Sequence, residues 1–297
     1  MIGPIRSMLF VPGTRHDRFA KAMNAGADAV VFDLEDSVEA GQKPQARTLV
    51  AEFLATPRLE AIRPEALRLV RFNAVHTPDG EADLEFFSGT RGFDGVLLPK
   101  VETAAVVEQV ARAFARHPPP GAAVSGPVPP LLLLLETPRA ILRAAEIASA
   151  DAAVAALLFG AEDLTARLAV ERTIDGEELL FARAQIVLAA AAAGAEAIDA
   201  VCTDLNDAES LVRDCQRARA LGFRGKMAIH PRQVPVINEV FMPTAADVNR
   251  ARRLIDTYDA ARAAGHGVTT MDGRMVELPI VERARRTLAL AARHRDR

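Results

Sequence analysis

The sequence predicts an α/β fold, a (β/α)8 TIM barrel with a C-terminal helical and hairpin lid extension, on three observations. Eight short apolar runs recur along the 297-residue chain, each with the length and composition of a strand covered on both faces. Helix-forming stretches rich in Ala, Leu, Glu and Arg separate them, which is the alternation of a parallel sheet. Nearly every run ends in a charged or polar residue, at the edge where barrel enzymes carry their chemistry.

In chain order, the first strand spans Ser7 to Val11 and leads into Pro12, Gly13 and Arg15. The second, Ala29 to Leu34, delivers Asp33, Glu35 and Asp36, and the third, Leu67 to Phe72, delivers Arg71 and Asn73. Gly95 to Leu98 precedes Lys100, and Leu131 to Leu135 ends in Glu136. Ala155 to Phe159 runs through Gly160 into Glu162 and Asp163, Ala197 to Cys202 precedes Asp204, and Lys226 to Ile229 precedes His230. Helices are expected over Ala104 to Arg116, Glu177 to Ala193 and Asp207 to Ala220. A doubly wound open sheet is the alternative, weakened because no glycine-rich dinucleotide fingerprint follows the first strand. The proline-rich stretch from His117 to Pro130 reads as a stiff surface loop, not a domain linker.

The barrel is assigned to residues 1–243 and the lid to 244–297. The lid comprises a helix from about Ala245 to Ala264, a hairpin turning on Asp272-Gly273, and a last helix from Pro279. Because a barrel closes at its eighth unit, this segment must cover its own barrel mouth or reach a neighbouring subunit.

Composition bounds the function. A chain of this length that is 50% hydrophobic can bury a large core without staples. A net charge of -3 gives no basic footprint for nucleic acid. Cys202, expected on a buried strand, and Cys215, on a helix, suggest neither a disulfide framework nor a metal knuckle. The start Met1-Ile2-Gly3-Pro4-Ile5-Arg6 is not a signal peptide, and the leucine run is too short to span a bilayer, so a cytoplasmic protein without a membrane partner is expected.

Glu136 and Asp163 carry the chemistry. A carboxylate at the end of a buried strand is costly unless a cation or donors meet it. Mg²⁺ needs few protein oxygens and keeps its other positions for water or substrate, so the pair would suffice. Ion pairing with Arg71 or Lys100 is the plain structural alternative.

Several segments together carry a resemblance: Arg6-Ser-Met-Leu-Phe-Val-Pro-Gly13, Asp33-Leu-Glu-Asp-Ser-Val38 with Lys43 and Ala46-Arg47, Val70-Arg-Phe-Asn73, Leu98-Pro-Lys100, Glu136-Thr137, Phe159-Gly-Ala-Glu-Asp163, Gly225-Lys-Met-Ala-Ile-His-Pro231 and Asp272-Gly-Arg-Met-Val276. In this order, over almost the whole chain, they resemble the citrate lyase beta subunit family, which includes malyl-CoA and citramalyl-CoA lyases within the HpcH/HpaI aldolase superfamily. The resemblance implies a Mg²⁺-dependent barrel that cleaves or forms a carbon–carbon bond in a 3-hydroxyacyl-CoA thioester, releasing a 2-oxo acid, and that assembles as a homo-oligomer, a trimer.

It further implies that Glu136 and Asp163 are metal ligands and that Arg71 binds substrate. The family's acid/base aspartate in the C-terminal hairpin, supplied by an adjacent subunit, aligns with Glu277, one methylene longer. Glu35 and Asp36 are expected to hold metal-bound water or orient Lys100, with strand-end solvation as the alternative. Lys100 is expected to be a cation locked among Asp33, Glu35 and Glu136 and not a Schiff-base lysine. Arg15 either receives a coenzyme A phosphate or is simply solvated. Gly160, Thr165 and Ala166 shape the loop that offers N–H groups to a substrate carboxylate, or merely start the next element. His230 is expected to be a turn histidine. The competing functions are an acyl-CoA thioesterase, a carrier-dependent citryl lyase component and a non-catalytic CoA-ester-binding subunit.

Overall fold

Eight parallel strands, each hydrogen-bonded to the next in sequence, close into a barrel when the first pairs with the last through Ser7↔Lys226, Met8↔Met227 and Leu9↔Ala228. The computed structural model describes residues 4–56, 65–116, 128–173 and 175–293. The proline-rich stretch at 117–127 therefore lies outside the described residues. Two compact units divide the chain, Met1–Glu239 and Val240–Arg297.

In the first unit β1 (Ser7–Pro12) leads to α1 (His16–Met23), β2 (Ala29–Asp33) to α2 (Lys43–Ala55), and β3 (Leu67–Arg71) to α3 (Pro78–Ser88). Then come β4 (Gly95–Leu98), α4 (Ala104–Arg116), β5 (Leu131–Leu135), the short helices α5 (Pro138–Leu142) and α6 (Ala144–Ala148), β6 (Val154–Phe159) and α7 (Ala161–Leu168). The last turns are α8 (Leu180–Ala193), β7 (Glu196–Asp199), α9 (Ala208–Leu221), β8 (Gly225–Ala228) and α10 (Gln233–Phe241).

Side-chain alternation along the strands builds the interior. Met8 and Phe10, Ala29 and Val31, Leu67 and Leu69, Leu132 and Leu134, and Ala156 and Leu158 all join one core cluster inside the barrel. The intervening residues pack outward against helices, as where Phe32 meets Phe19 and Phe53 in tilted and edge-on contacts. The same parity carried one step further points Pro12, Asp33, Arg71, Glu136 and Gly160 inward above the apolar layers. On β2, β3 and β5 the polar end of the run is thus the next inward position of its strand.

A buried charge cluster ties the closing seam. Lys226 on β8, fully buried, places Nζ 2.6 Å from both Asp199 of β7 and Asp214 of α9. Arg183 of α8 meets the same two carboxylates at 3.0 and 2.7 Å. Two cations and two carboxylates balance, which makes burying Lys226, Arg183 and Asp199 beside the partly exposed Asp214 tolerable.

Beyond shifts of one residue at several element ends, three placements differ from the sequence reading. β7 stops at Asp199, so Cys202 is buried beyond the strand. Side chains replace the ladder there, with Gln233 Nε2 donating to the Cys202 carbonyl and Arg172 Nη1 to that of Val201. Residues 177–179 form a 3₁₀ turn ahead of α8. Asp163 occupies the first turn of α7, not a strand end, because the helix starts directly after Gly160.

The second unit contains α11 (Ala245–Ala263), β9 (Thr269–Met271), β10 (Arg274–Val276) and α12 (Leu278–Arg293). Thr244 and Asp247 cap α11 reciprocally. Asp272 and Gly273 both take positive φ, 51° and 74°, as a tight two-residue hairpin turn requires. Ala251, Leu254, Tyr258, Val276, Val281 and Ala284 form this unit's own core. Among the described residues no helix is long and apolar enough to cross a membrane.

Candidate active site

A cavity of about 380 Å³ opens at the C-terminal ends of the strands, with an apolar wall that includes Phe10, Leu134, Phe159, Val201 and Met227 and a polar wall of Asp33, Asp36, Ser37, Arg71, Glu136, Glu162 and Asp163. Its size suits a small ligand or the reacting end of a larger one.

Arg71 is the cation of this wall, and its fork is occupied. Nε and Nη2 each donate to Asp33 at 2.6 Å, while Nη1 lies 3.0 Å from Glu35 and 3.8 Å from Asp36. The guanidinium carbon sits 5.1 Å from the centre of the Phe10 ring. Burial opposes the charge on Arg71, but Asp33 and Glu35 more than offset it, and its pKa is raised. Burial also pushes Asp33 up, and the Arg71 cation with the Ser37 and backbone donors brings it net below the usual carboxylate range.

Glu35 stands behind this pair, outside the cavity lining. Its Oε1 accepts from Lys100 Nζ at 2.7 Å. Its buried Oε2, although 3.0 Å from Arg71 Nη1, has no N–H aimed at it. Burial raises the Glu35 pKa despite both cations. Lys43 Nζ closes the loop beneath by donating to the Leu34 and Glu35 carbonyls and to Asn73 Oδ1. Asp36 is more than half exposed and faces the cavity.

Lys100 is a locked cation, with partners that differ in part from those expected. Nζ reaches Glu35 and, at 3.5 Å, Asp36, whereas Glu136 takes the backbone N–H of Lys100 at 2.8 Å and Asp33 is held by Arg71 instead. The backbone reaches Glu136 because Lys100 turns with φ of +53°. Burial opposes its charge, but Glu35 more than restores it and the pKa is raised, contrary to what an amine poised for Schiff-base formation needs.

Glu136 and Asp163 are the two carboxylates that could hold a divalent cation. Glu136 is buried, and its pKa is pushed up to about 8, first by burial and then by the charges of Glu35 and Asp163. Among the described residues the Asp163 carboxylate meets no donor. Gly160 lets the two segments approach, since a Cβ there would lie 2.3 Å from the Glu136 Cβ and 2.7 Å from its Oε2. Six carboxylates, Asp33, Glu35, Asp36, Glu136, Glu162 and Asp163, thus gather with three cations, Arg71, Lys100 and Arg172, an excess of negative charge that a cation between Glu136 and Asp163 would relieve. Two carboxylate ligands would leave most of a cation's positions to water or substrate.

Other expected residues lie outside this wall. Arg15 pairs bidentately with Asp17 at 2.9 Å in an exposed turn. The Thr165 hydroxyl is buried and donates to the Ala161 and Glu162 carbonyls, and Ala166 is exposed one residue on, so both serve α7 itself. His230 accepts from the Arg232 N–H and is the turn histidine expected. Glu277 belongs to the second unit, where its carbonyl accepts from the first N–H groups of α12. Asp33 emerges as a site residue through its inward parity. Arg172 carried no sequence signal, and joins Glu162 at 2.5 Å to the Val201 carbonyl at 3.0 Å.

The family model for HpcH/HpaI aldolase/citrate lyase matches residues 6–231. A citrate lyase subunit beta-like protein of Deinococcus radiodurans is 41% identical over 96% of both chains. A (3S)-malyl-CoA thioesterase of Cereibacter sphaeroides is 36% identical over 97% of this chain and 95% of its own. Among solved structures, CitE from Mycobacterium tuberculosis in complex with magnesium, acetoacetate and coenzyme A superposes with a TM-score of 0.79 at 36% identity, covering 98% of this chain and all of that one.

Proposed function

This chain belongs to the HpcH/HpaI aldolase/citrate lyase family, and from that membership we propose that it is a Mg²⁺-dependent carbon–carbon lyase acting on a 3-hydroxyacyl-CoA thioester such as malyl-CoA or citramalyl-CoA. The observation that carries the reading is the pair Glu136 and Asp163, facing one cavity with Arg71 on the same polar wall. A homologue holding magnesium and coenzyme A supports the same assignment.

Glu136 and Asp163 would hold the ion, which when bound supplies a Lewis acid for the substrate's carboxylate and hydroxyl oxygens. The chain's own groups do the rest. Arg71, fixed by Asp33 and Glu35, keeps a permanent positive charge at the wall where the thioester oxygen gains charge as the carbon–carbon bond breaks. Its occupied fork favours this electrostatic role over bidentate capture of a substrate carboxylate. Glu35 and Lys100 act through Arg71 and Glu136 as positioning residues. Asp36 and Glu277 are the carboxylates assigned to proton transfer, taking the hydroxyl proton and returning one to the acyl methyl. Glu277 would do so from the lid of an adjacent subunit in a homotrimer.

Thioester hydrolysis is the second reading, favoured by the 36% identical malyl-CoA thioesterase. Product analysis separates the two. Malyl-, citramalyl- and citryl-CoA incubated with the purified chain and Mg²⁺ should yield acetyl-CoA and a 2-oxo acid. Free thiol with an intact 3-hydroxy acid would establish the thioesterase, and no product from any thioester would overturn both.

A further inference from the structure

The C-terminal unit has a second cavity, of about 480 Å³, lined by Ala246, Asn249, Arg250 and Arg253 of α11 and by Asp272 and Arg274 of the hairpin. The helix residues recur every three or four positions, so they share one face. Three arginines therefore line one hollow, with a single acid among them. Arg253 already meets that acid, its Nη2 lying 3.1 Å from Asp272 Oδ1. Arg250 and Arg274 are exposed and, among the described residues, have no carboxylate partner.

We propose that this cavity is a phosphate-binding site, in which Arg250 and Arg274, supported by Arg253 and Asn249, take a phosphate monoester or diphosphate group. A planar guanidinium presents two parallel N–H donors at the spacing of two phosphate oxygens, which no halide or monocarboxylate exploits as fully when several forks converge. The Asn249 amide adds donors of its own. Ala246 lies in the first turn of α11, where the helix dipole favours an anion. By contrast Arg15, the other arginine considered for phosphate, has its fork filled by Asp17. The phosphates can come from the CoA end of the proposed substrate or from a free phosphorylated compound. Binding itself is independent of any lyase activity.

Calorimetric titration of the full chain with pyrophosphate at low salt tests the site. The Arg250→Gln/Arg274→Gln variant should bind at least about tenfold more weakly, the loss of charge-assisted contacts. Arg252→Gln/Arg262→Gln, which removes two exposed arginines outside the cavity, should bind as wild type, and Arg250→Lys/Arg274→Lys should recover part of the affinity. No pyrophosphate binding by the wild-type chain, wild-type affinity in the first variant, or an equal loss in the control pair would each overturn the proposal. Titration with coenzyme A and pantetheine then identifies the source. A weakened coenzyme A with unchanged pantetheine assigns the site to the substrate's phosphates, and a lost pyrophosphate site with unchanged coenzyme A assigns it to a free phosphate compound.

Discussion

Glu136 is where a proton and the proposed metal ion would compete. Its carboxyl is raised from 4.5 to about 8 in the folded chain, so the folded state holds this proton more tightly than the unfolded one. The resulting contribution to stability is complete below about pH 4.5 and is lost as pH rises through about 8. The rise in Tm caused by Mg²⁺ should therefore be larger at about pH 8.5 than at about pH 6, where the proton already neutralises the group. Glu136→Gln should abolish both the Mg²⁺-dependent Tm shift and turnover while leaving far-UV circular dichroism unchanged. Full activity of this variant and of Asp163→Asn in EDTA would remove the metal role. Arg71→Lys keeps the charge but gives up the two donors to Asp33, and should lower kcat/KM by about a hundredfold. Gly160→Ala is the steric counterpart. With its Cβ 2.3 Å from that of Glu136, it should cost about 1–3 kcal/mol in chemical denaturation and weaken Mg²⁺ binding as well.

Between elements, the closing seam and the hairpin make different demands. Lys226→Met leaves Asp199 and Asp214 sharing one buried cation, Arg183, and should destabilise the chain by about 3 kcal/mol or more, read as a lower denaturant midpoint. Most of the elements were legible because each obeys a local rule. The run of five leucines reads as a strand covered on both faces, and Asp272-Gly273 reads as a turn because both positions need positive φ. Asp163 reads as a strand end in sequence because a glycine such as Gly160 marks a turn as readily as a helix N-cap. Arg172 was invisible because a solvated loop arginine and one strapping Glu162 to Val201 look identical until the chain is folded.

At the scale of the molecule, Glu277 is the position that tests assembly. Glu277→Gln should keep metal binding and lose carbon–carbon cleavage, and mixing it with Arg71→Ala should restore activity if the lid of one subunit serves the barrel of another. Mixed oligomers that form without regaining activity would exclude that exchange. The barrel, its strand order and the carboxylates at its mouth are legible in the chain alone, because alternation and apolar runs are local consequences of burial and need no knowledge of partners. How those charges divide is set by the folded barrel. Asp33 claims the Arg71 fork, Glu35 takes Lys100, and Glu136 is left with one backbone N–H, since pairing depends on which ends of β2, β3, β4 and β5 come within 3 Å once the barrel closes. Charge type is written in the chain, whereas the distances that set its chemistry exist only after residues tens of positions apart are packed side by side.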